Sequence, residues 1–371
     1  MPSIFDLRNA FLTRARFRAR VQKIPLLQGV ARQQSVELFR LCSGFVHSQL
    51  LLACVRLGLF ELLRGGALPV AEIADRLGLP VERAERLLSA AAALRLTESR
   101  PGDRFGLGML GAALVENPSV QAMVEHHALL YADLADPVSL FAGSGPPTGL
   151  SALWPYSGSA GPERLAETDV SAYSTLMAES QVMVAEQILG AVSFRRFRRL
   201  LDLGGGSGAF AIAAADRWPG LSVTVADLPA VACMAKKRIA EAGLDHRISV
   251  VGADAVADDL PRGFDAVSLV RIIHDHDEER ALDLLAAARV ALRDGGVLIL
   301  AEPMADKADA GRFIDAYFSV YLLAMGTGRP RSFAGLSALL EQAGFRKVRR
   351  RRTHVPLITS VITAVPVRKR K

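Results

Sequence analysis

Four glycines crowd together at the end of a short apolar run in Leu200–Phe210, a segment that reads LLDLGGGSGAF. The apolar run predicts a buried strand, and Ala209–Arg217 after it has the pattern of a helix. A tight turn between strand and helix needs backbone angles that glycine adopts readily, and the absent Cβ lets a ligand touch the main chain. Because the first N–H groups of the helix point toward such a ligand, the segment predicts a binding site rather than a plain turn.

Strands and helices alternate from residue 199 onward, which indicates a doubly wound, mostly parallel α/β sheet. The end of the chain departs from this alternation. Phe345–Val355 and Ile358–Val365 are strand-like and separated by only a few residues, so they must pair antiparallel. The sequence therefore predicts a seven-stranded sheet. Its other strands are expected at Leu200–Leu203, Ser222–Ala226, Ile248–Gly252, Phe264–Ile273 and Val297–Ala301, with helices between them at Ala209–Arg217, Ala230–Ala242 and Glu279–Leu292.

Two cofactors are compatible with the glycine turn. Gly204-x-Gly206-x-x-Ala209 matches the dinucleotide fingerprint, which allows alanine at its third position. Asp202-x-Gly204-x-Gly206-x-Gly208 is similar to the first motif of methyltransferases that use S-adenosylmethionine (SAM). The terminal antiparallel pair favours SAM, since SAM methyltransferase domains end in this way and dinucleotide-binding domains usually do not.

Polar residues follow the predicted parallel strands at their carboxyl ends, where ligands bind in sheets of this kind. Asp227 suits the hydroxyls of a ribose, and Asp254 suits an adenine amino group. Any one of these acids could be a helix cap, but polar residues at five strand ends indicate a site. The fourth and fifth strands end in His274-Asp275-His276-Asp277 and Glu302-Pro303. The candidate cofactor-binding residues are Asp202, Gly204, Gly206, Asp227, Leu228, Asp254, Ala255 and Arg271.

A different pattern occupies the N-terminal part of the chain. Val70–Leu77 and Val81–Leu94 predict two short helices, and strands around Arg95–Glu98 and Arg104–Leu107 flank a turn, so together they predict a winged helix. This arrangement raises a transcriptional regulator as an alternative function. DNA recognition requires a basic face, which the second helix lacks because glutamates accompany its arginines. We therefore expect no nucleic-acid partner.

The chain divides into four predicted parts: a basic arm over 1–30, a winged-helix-like dimerisation domain over 31–111, a helical connector with the substrate pocket over 112–194, and the domain with the glycine turn over 195–371. Within the second part, Gln34–Leu63 predicts two helices broken near Ser43-Gly44. The connector contains His126 and His127, which are either buried and hydrogen-bonded or part of a pocket wall. No ligand spacing accompanies them, so we expect no metal.

The motif order DLGGGSG, ADLP, GAD, IIHDHDEE and LAEPM resembles the class I O-methyltransferases of the plant caffeate and bacterial polyketide type. The resemblance covers about residues 30–365. It implies SAM as the cofactor, a winged-helix dimerisation domain and a homodimer. It also implies that the catalytic residues are His274, as general base, and Glu302, which orients it. The stretch Gly328–Phe333 lacks the second glutamate of the family, and Val270 stands where the family has a lysine.

Within that family, HHALLYADLADPVSLF and VRIIHDHDEE are most similar to the carotenoid O-methyltransferases of purple bacteria, the demethylspheroidene and hydroxyneurosporene enzymes. This resemblance implies methylation of the tertiary hydroxyl of a 1-hydroxy carotenoid. Phe313, Tyr317, Tyr321 and Met325 recur at helical spacing, and they either pack in a core or line an apolar pocket. The alternatives are a phenol or polyketide O-methyltransferase and a C-methyltransferase acting on a tetrapyrrole.

Both ends of the chain are basic. Residues 1–40 carry eight Lys/Arg and two Asp/Glu, and residues 344–371 carry ten Lys/Arg and no acid, against a net charge of +7 for the whole chain. Such ends are solvated tails, nucleic-acid contacts or contacts with anionic lipid. The sequence shows no secretory signal and no apolar run of about 20 residues, and Cys42, Cys54 and Cys233 are interpreted as buried thiols. We predict a cytoplasmic protein, with peripheral contact to the inner face of an anionic membrane as the sharper alternative.

Overall fold

The computed structural model describes residues 3–14, 25–153, 181–305, 310–356 and 359–367. It divides into two compact units, Met1–Glu116 and Asn117–Lys371. Part of the predicted connector, residues 154–180, lies outside the described residues. The same holds for the basic side chains of Arg16, Arg18 and Arg20 and for the C-terminal segment Arg368–Lys371.

The first unit begins with the helices α1 (Ile4–Leu12), α2 (Pro25–Arg56) and α3 (Leu59–Leu62). α2 passes through Ser43 and Gly44 without a break, so the predicted division of this segment into two helices is wrong. A glycine inside a helix costs only about 1 kcal/mol, which the rest of a long helix can offset. The interruption comes later, at Gly58, whose φ of 67° separates α2 from α3.

α2 is largely uncovered within its own unit, with only 11% of its most apolar stretch buried. Leu38, Phe39, Leu41 and Phe45 are each 63% to 80% exposed. Among the described residues it is the one helix whose length and composition would allow it to cross a membrane. This corrects the expectation that no apolar segment is long enough. Length and composition do not establish a span, because helices that pack in a protein core meet the same criteria.

The remainder of the first unit has the predicted pair of helices and hairpin. In chain order its elements are β1 (Leu68–Pro69), α4 (Val70–Leu77), α5 (Val81–Ala93), β2 (Thr97–Arg100), β3 (Arg104–Leu107) and α6 (Met109–Ala112). β3 pairs antiparallel with both β1 and β2 in a three-stranded sheet. α5 buries Ala84, Leu88 and Ala91, so its apolar face serves packing.

The second unit is built on a seven-stranded sheet with the strand order β6-β5-β4-β7-β8-β10-β9. β4 to β8 are parallel, while β10 pairs antiparallel with β8 and with β9. The predicted α/β fold class is therefore confirmed. The strands are β4 (Arg199–Leu203), β5 (Ser222–Asp227), β6 (Ile248–Gly252), β7 (Phe264–Val270), β8 (Leu292–Glu302), β9 (Phe345–Arg351) and β10 (Ser360–Pro366).

Helices surround this sheet. Those that precede it in the chain are α7 (Pro118–Asp133), α8 (Pro137–Ala142), α9 (Gly149–Leu153) and α10, described over residues 181–191. Those that alternate with its strands or follow them are α11 (Ala209–Arg217), α12 (Pro229–Glu241), α13 (Glu278–Ala291), α14 (Ala310–Met325) and α15 (Phe333–Gln342). Successive strand side chains point to opposite faces, so Leu200 joins one buried apolar cluster and Leu201 the other. With both faces covered, the carboxyl edge of the sheet is the place for a ligand.

Two local predictions are wrong in ways that periodicity cannot detect. The fourth strand ends at Val270 rather than Ile273, because Arg271 adopts a left-handed φ of 57°. Residues Ile273–Asp275 then form a 3₁₀ turn. Of the three cysteines only Cys54 is buried, whereas Cys42 and Cys233 are exposed. An apolar neighbourhood in sequence therefore does not place a residue on the buried face of its helix.

Candidate active site

The glycine turn follows β4 and bonds the end of β5. Gly204 has a φ of 68°, and its N–H donates to the carbonyl oxygen of Ala226 at 2.8 Å. A Cβ at Gly204 would lie 2.6 Å from the Cδ1 atom of Ile272, so only glycine fits without rearrangement. We call Gly204–Gly208, Asp227 and Asp254 together the glycine rim.

Asp202 lies beneath the glycine turn and is 1% exposed. Its Oδ1 accepts a hydrogen bond from the Ser268 hydroxyl at 2.6 Å, whereas its Oδ2 has no partner among the described residues. Burial raises the pKa of Asp202 to about 7, although the bond from Ser268 opposes this shift. A buried polar atom without a partner is costly. This oxygen therefore suits a ligand that brings a hydrogen-bond donor or a positive charge to the turn.

Asp227, at the end of β5, is held by main-chain groups. Its Oδ2 accepts from the Gly206 N–H and its Oδ1 from the Leu228 N–H, both at 2.8 Å. These two bonds fix the orientation of the carboxylate. Leu228 is itself buried beside it. The structure thus brings Asp227 and Gly206, predicted separately, into direct contact.

Asp254, after β6, is ion-paired rather than isolated. Arg280 donates to its Oδ1 at 2.6 Å, and the Val256 N–H donates to the same oxygen at 2.9 Å. Ala255 is half-buried next to it. The sequence analysis did not identify Arg280, because that residue lies 26 positions away in α13 and nothing in the spacing connects the two.

The segment 271–276, which we call the histidine turn, follows β7 at the same edge of the sheet. Glu302, the last residue of β8, is 1% exposed beside it. Its Oε2 lies 2.5 Å from the Nδ1 of His274, and its Oε1 accepts the N–H groups of Ile272 and Ile273 at 3.2 and 2.8 Å. One carboxylate therefore orients both the imidazole and its backbone. A carboxylate at Nδ1 favours the tautomer that carries its proton there.

Asp275 also belongs to this cluster, and the sequence analysis gave it no role. Its Oδ1 lies 3.1 Å from the Nε2 of His274, and both side chains are buried. Burial by itself lowers the pKa of His274, but the carboxylates of Asp275 and Glu302 outweigh it and raise that pKa above its usual value. Burial raises the pKa of Asp275 to about 6. Among the described residues, no group of three or more His, Cys, Asp or Glu side chains is placed to hold a metal ion.

Arg271 opens the histidine turn. Its left-handed φ of 57° is uncommon for a residue with a side chain, and its N–H donates to the carbonyl oxygen of Ala301 at 2.8 Å. Its charge also reaches α7. Burial is the main reason that the pKa of His126 falls to about 4, and coupling to the neighbouring His127 and the positive charge of Arg271 add to the effect.

Two histidine–tyrosine pairs connect α7 with α14. His126 Nε2 lies 2.8 Å from the hydroxyl of Tyr321, and His127 Nε2 lies 2.7 Å from that of Tyr317. The two tyrosine rings stack with their centroids 5.7 Å apart. Burial lowers the pKa of both histidines, so each pair is a bond between neutral groups. The paired histidines are therefore hydrogen-bonded, as the first interpretation expects, and this arrangement is also compatible with the second, a pocket wall.

The aromatic residues of α14 divide between surface and interior. Phe313 is 75% exposed, so its predicted place in an interior pocket or core is wrong, whereas Tyr321 and Met325 are buried. Phe318, which was not predicted, meets the His274 ring edge-on with the centroids 5.6 Å apart. The face of α14 that carries Phe318 and Tyr321 is therefore the one beside the histidine turn.

Comparison with known proteins identifies the family of this chain. Residues 153–346 match the O-methyltransferase domain, and residues 39–117 match the O-methyltransferase dimerisation domain. The chain belongs to the O-methyltransferase family. This O-methyltransferase therefore joins a dimerisation domain at its N-terminal side to a methyltransferase domain that contains the glycine rim and the histidine turn.

Individual relatives extend over nearly the whole O-methyltransferase chain. The demethylspheroidene O-methyltransferase of Cereibacter sphaeroides is 42% identical over 94% of this chain and 92% of its own. The 3-hydroxy-5-methyl-1-naphthoate 3-O-methyltransferase of Streptomyces sahachiroi is 34% identical over 88% and 93% of the two chains. The crystal structure of human N-acetylserotonin methyltransferase in complex with SAM is 25% identical, with a TM-score of 0.71 over 90% of this chain and 98% of that one. The enzyme is a SAM-dependent O-methyltransferase.

Proposed function

We propose that this O-methyltransferase transfers the methyl group of SAM to the tertiary hydroxyl of a 1-hydroxy carotenoid. The observation that supports this acceptor most is the 42% identity to a demethylspheroidene O-methyltransferase over 94% of the chain. The relative named for a naphthoate, at 34% identity, makes a phenol the second candidate. Both acceptors require the same cofactor site and the same base, so they differ in the demands they make on the pocket.

The glycine rim is proposed to hold SAM. Asp227, oriented at the end of β5 by two main-chain bonds, would bind the ribose hydroxyls, and Asp254 would bind the adenine end with Leu228 and Ala255 as apolar neighbours. The unpartnered Oδ2 of Asp202 suits the positively charged end of the cofactor. When bound, SAM supplies a methyl group on a positively charged sulfur that an acceptor oxygen can displace directly.

His274 is proposed as the general base that takes the proton of the acceptor hydroxyl. Glu302 engages Nδ1 at 2.5 Å, which leaves the lone pair on Nε2 for that proton. Asp275 lies 3.1 Å from the same nitrogen, so the hydroxyl displaces or joins it on binding. A tertiary alcohol is far less acidic than an imidazolium ion. The proton therefore leaves during or after formation of the carbon–oxygen bond, and the chain contributes chiefly by positioning the oxygen.

The two histidine–tyrosine pairs are proposed to form a wall of the acceptor pocket. Tyr317 and Tyr321 each have their hydroxyl engaged by a histidine, so neither presents a free hydroxyl to a ligand. Phe318 continues this aromatic wall to the ring of His274. Aromatic rings without free hydroxyls suit the apolar chain of a carotenoid, because the chain can leave water for such a surface without burying an unpaired polar group. This supports the carotenoid over the more polar phenol.

The proposed assembly is a homodimer formed through about residues 30–110. The dimerisation domain spans 39–117, and α2 within it exposes large apolar side chains such as Phe39 and Leu41. Contiguous apolar surface of this kind is unfavourable in water and marks an interface. Light scattering at micromolar concentration tests the proposal, and a monomer under those conditions would contradict it.

Peripheral contact with an anionic membrane on the cytoplasmic side is also part of the proposal, because the proposed acceptor is insoluble in water. Support comes from a surface that we call the basic flank, which lines a groove of about 500 Å³ and its continuation along β9. Among the described residues, no carboxylate lies within ion-pair distance of its five exposed cations. They are Arg195, Arg196, Lys347, Arg349 and Arg351.

A bulge in β9 creates this charge distribution. Lys347 has a φ of 54°, and the pairing with β10 shifts register between Thr363 and Val365. The extra residue lets Phe345 and Val348 both pack on the same apolar cluster. Arg349 therefore faces the opposite side, beside the groove. β10 borders the same groove through Thr363, Ala364 and Val365.

Incubation of the full chain with methyl-labelled SAM tests the proposed acceptor. The panel contains a 1-hydroxy carotenoid, its 1-methoxy counterpart as a control without the hydroxyl, and a hydroxynaphthoate. We expect label in the 1-hydroxy carotenoid as a methyl ether and none in the methoxy control. Label in the naphthoate alone would replace the carotenoid with a phenol as the substrate.

A further inference from the structure

The histidine turn has all four of its carbonyl oxygens from Ile273 to His276 bonded to a single loop, which we call the 327–331 loop. The turn and the loop are more than 50 residues apart in sequence, so this contact is made only by the fold. The Thr327 hydroxyl donates to Asp275 O and the Arg329 N–H donates to His274 O, both at 2.9 Å. Arg331 donates from Nη1 to Ile273 O at 2.5 Å and from Nη2 to His276 O at 2.8 Å.

Such a complete set of external bonds has a physical reason. A 3₁₀ turn of three residues has almost no carbonyl partners of its own, because the end of every helical segment leaves carbonyls unsatisfied. Buried carbonyls must then find donors elsewhere. His274 is 4% exposed and Asp275 is 5% exposed, so water cannot supply them. The 327–331 loop fills this need.

Arg331 makes the largest contribution to this contact. It is 6% exposed, and its own carbonyl oxygen accepts the Ala305 N–H at 3.1 Å, so both ends of the residue are fixed. Burying a guanidinium is costly unless it is hydrogen-bonded. Its planar fork bonds the carbonyls on either side of His274, at Ile273 and His276, which a flexible ammonium on a lysine cannot reproduce.

Gly328 allows the loop to approach this closely. Its φ is 81°, and a Cβ on it would lie 2.2 Å from the carbonyl oxygen of His274. A real Cβ cannot occupy that position, so any other residue would push the loop away from the turn. The loop and Glu302 therefore hold different groups of the histidine turn, the loop its carbonyl oxygens and Glu302 the N–H groups of Ile272 and Ile273.

We propose that Arg331 is a positioning residue for methyl transfer, which fixes the imidazole of His274 by bonding the carbonyl oxygens on both sides of it. This inference rests on the proposed role of His274 as the base. Arg331 bonds main-chain oxygens of the histidine turn, so its influence on the reaction passes through that turn. Its removal should therefore leave SAM binding intact and lower the rate at which the acceptor is methylated, because small displacements of a reacting group cost large factors in rate.

The test compares Arg331→Met and Arg331→Lys with a matched control, Arg329→Met. Arg329 belongs to the same loop, but its side chain pairs with Glu278 on the surface, and its contact with His274 uses only the main chain. We expect Arg331→Met to lower kcat by about 10- to 100-fold with SAM affinity changed by less than about twofold. Arg331→Lys should recover only part of this loss, and Arg329→Met should retain kcat.

A second readout does not depend on the acceptor. The proton between His274 Nδ1 and Glu302 should give a far-downfield NMR signal, which Arg331→Met should broaden or shift while Arg329→Met leaves it in place. Addition of methylguanidinium to Arg331→Ala should restore part of the lost rate, which general destabilisation would not allow.

Two outcomes would overturn the inference. One is a folded Arg331→Met with wild-type kcat and an unchanged NMR signal. The other is a loss of kcat that is fully accounted for by a lower melting temperature and that Arg329→Met shows as well. His274→Ala measured alongside separates the two proposals. If that variant retains full turnover, the base itself is wrongly assigned, whereas its inactivity beside an active Arg331→Met rejects only the positioning role.

Discussion

The glycine rim and the histidine turn lie at the same edge of one sheet but are held in different ways. Beneath the rim, Asp202 Oδ2 is an acceptor without a partner among the described residues, and Asp227 in the rim is oriented by the N–H groups of Gly206 and Leu228. In the histidine turn, by contrast, both ring nitrogens of His274 meet carboxylates and the carbonyls are bonded to a distant loop. The rim is thus suited to receive donors from a ligand, whereas the turn is fixed before any ligand arrives. Cofactor affinity and proton transfer should therefore fail separately.

The largest effect is expected from His274→Ala. Loss of the proposed base should lower kcat by roughly 10²–10⁴, while SAM affinity measured by calorimetry stays near the wild-type value. Glu302→Gln should lower kcat by less, since the amide keeps the shape of the side chain and some of its bonds. Wild-type turnover in His274→Ala would mean that positioning alone suffices or that His276 takes the proton.

Asp227→Ala should have the complementary effect. Removing a charged acceptor costs about 1.5–3 kcal/mol, which is roughly 10- to 100-fold in the dissociation constant of SAM. Asp227→Asn should lose less, because it keeps one acceptor oxygen. Asp216→Ala on the exposed side of α11 is the control. Unchanged SAM affinity in Asp227→Ala would remove Asp227 from the cofactor site.

The pH dependence of kcat sharpens the account of the histidine turn. His274 acts as a base only when neutral, and its pKa is raised above 6.5 because Asp275 and Glu302 outweigh burial and the charge of Arg271. The rate should therefore fall as the pH falls through a value above 6.5. Asp275→Asn removes one carboxylate, so it should move this acidic limb of the pH–rate profile to lower pH. A limb that stays in place in Asp275→Asn would show that Asp275 does not control the protonation of His274.

The smallest effect is expected at the basic flank. Each Lys or Arg near an anionic bilayer contributes about 1 kcal/mol, which salt screens. Arg196→Gln should weaken co-sedimentation with anionic vesicles at low salt, and adding Arg349→Gln and Arg351→Gln should weaken it further. The control replaces three exposed cations elsewhere on the same unit, Arg217, Lys236 and Lys237. Equal binding by both triple variants, or none by the wild type, would contradict membrane contact through this surface.

Sequence patterns predicted the parts of the site that are local. The positions of the glycine turn and of the acids at the ends of β5 and β6 follow from where the strands end. The alternation of strands and helices along the sequence reveals those ends. The orientation of Asp275 toward Nε2 was not predictable, because a 3₁₀ turn has no long periodicity from which to read side-chain direction. The 327–331 loop was missed as well. The sequence analysis saw in it only a missing glutamate, because its bonds to the histidine turn span more than 50 residues.

The N-terminal unit shows the same limit. Ser43-Gly44 has the composition of a helix end, yet α2 continues to Arg56. Local propensity is a weak signal that tertiary context overrides. What α2 packs against in the proposed dimer is a second chain, and a single sequence contains no direct record of it. The family resemblance implied a homodimer, and the exposed apolar side chains of α2 on the folded unit indicate which surface would form it.

Single-turnover methyl transfer at saturating SAM tests the central claim most directly, when it is measured together with SAM affinity in Asp227→Ala and His274→Ala. If the glycine rim binds the cofactor and the histidine turn handles the proton, Asp227→Ala will bind SAM weakly but react within a few-fold of the wild-type rate once saturated. His274→Ala will bind SAM normally and react slowly. Parallel losses of affinity and saturated rate in both variants would contradict this division.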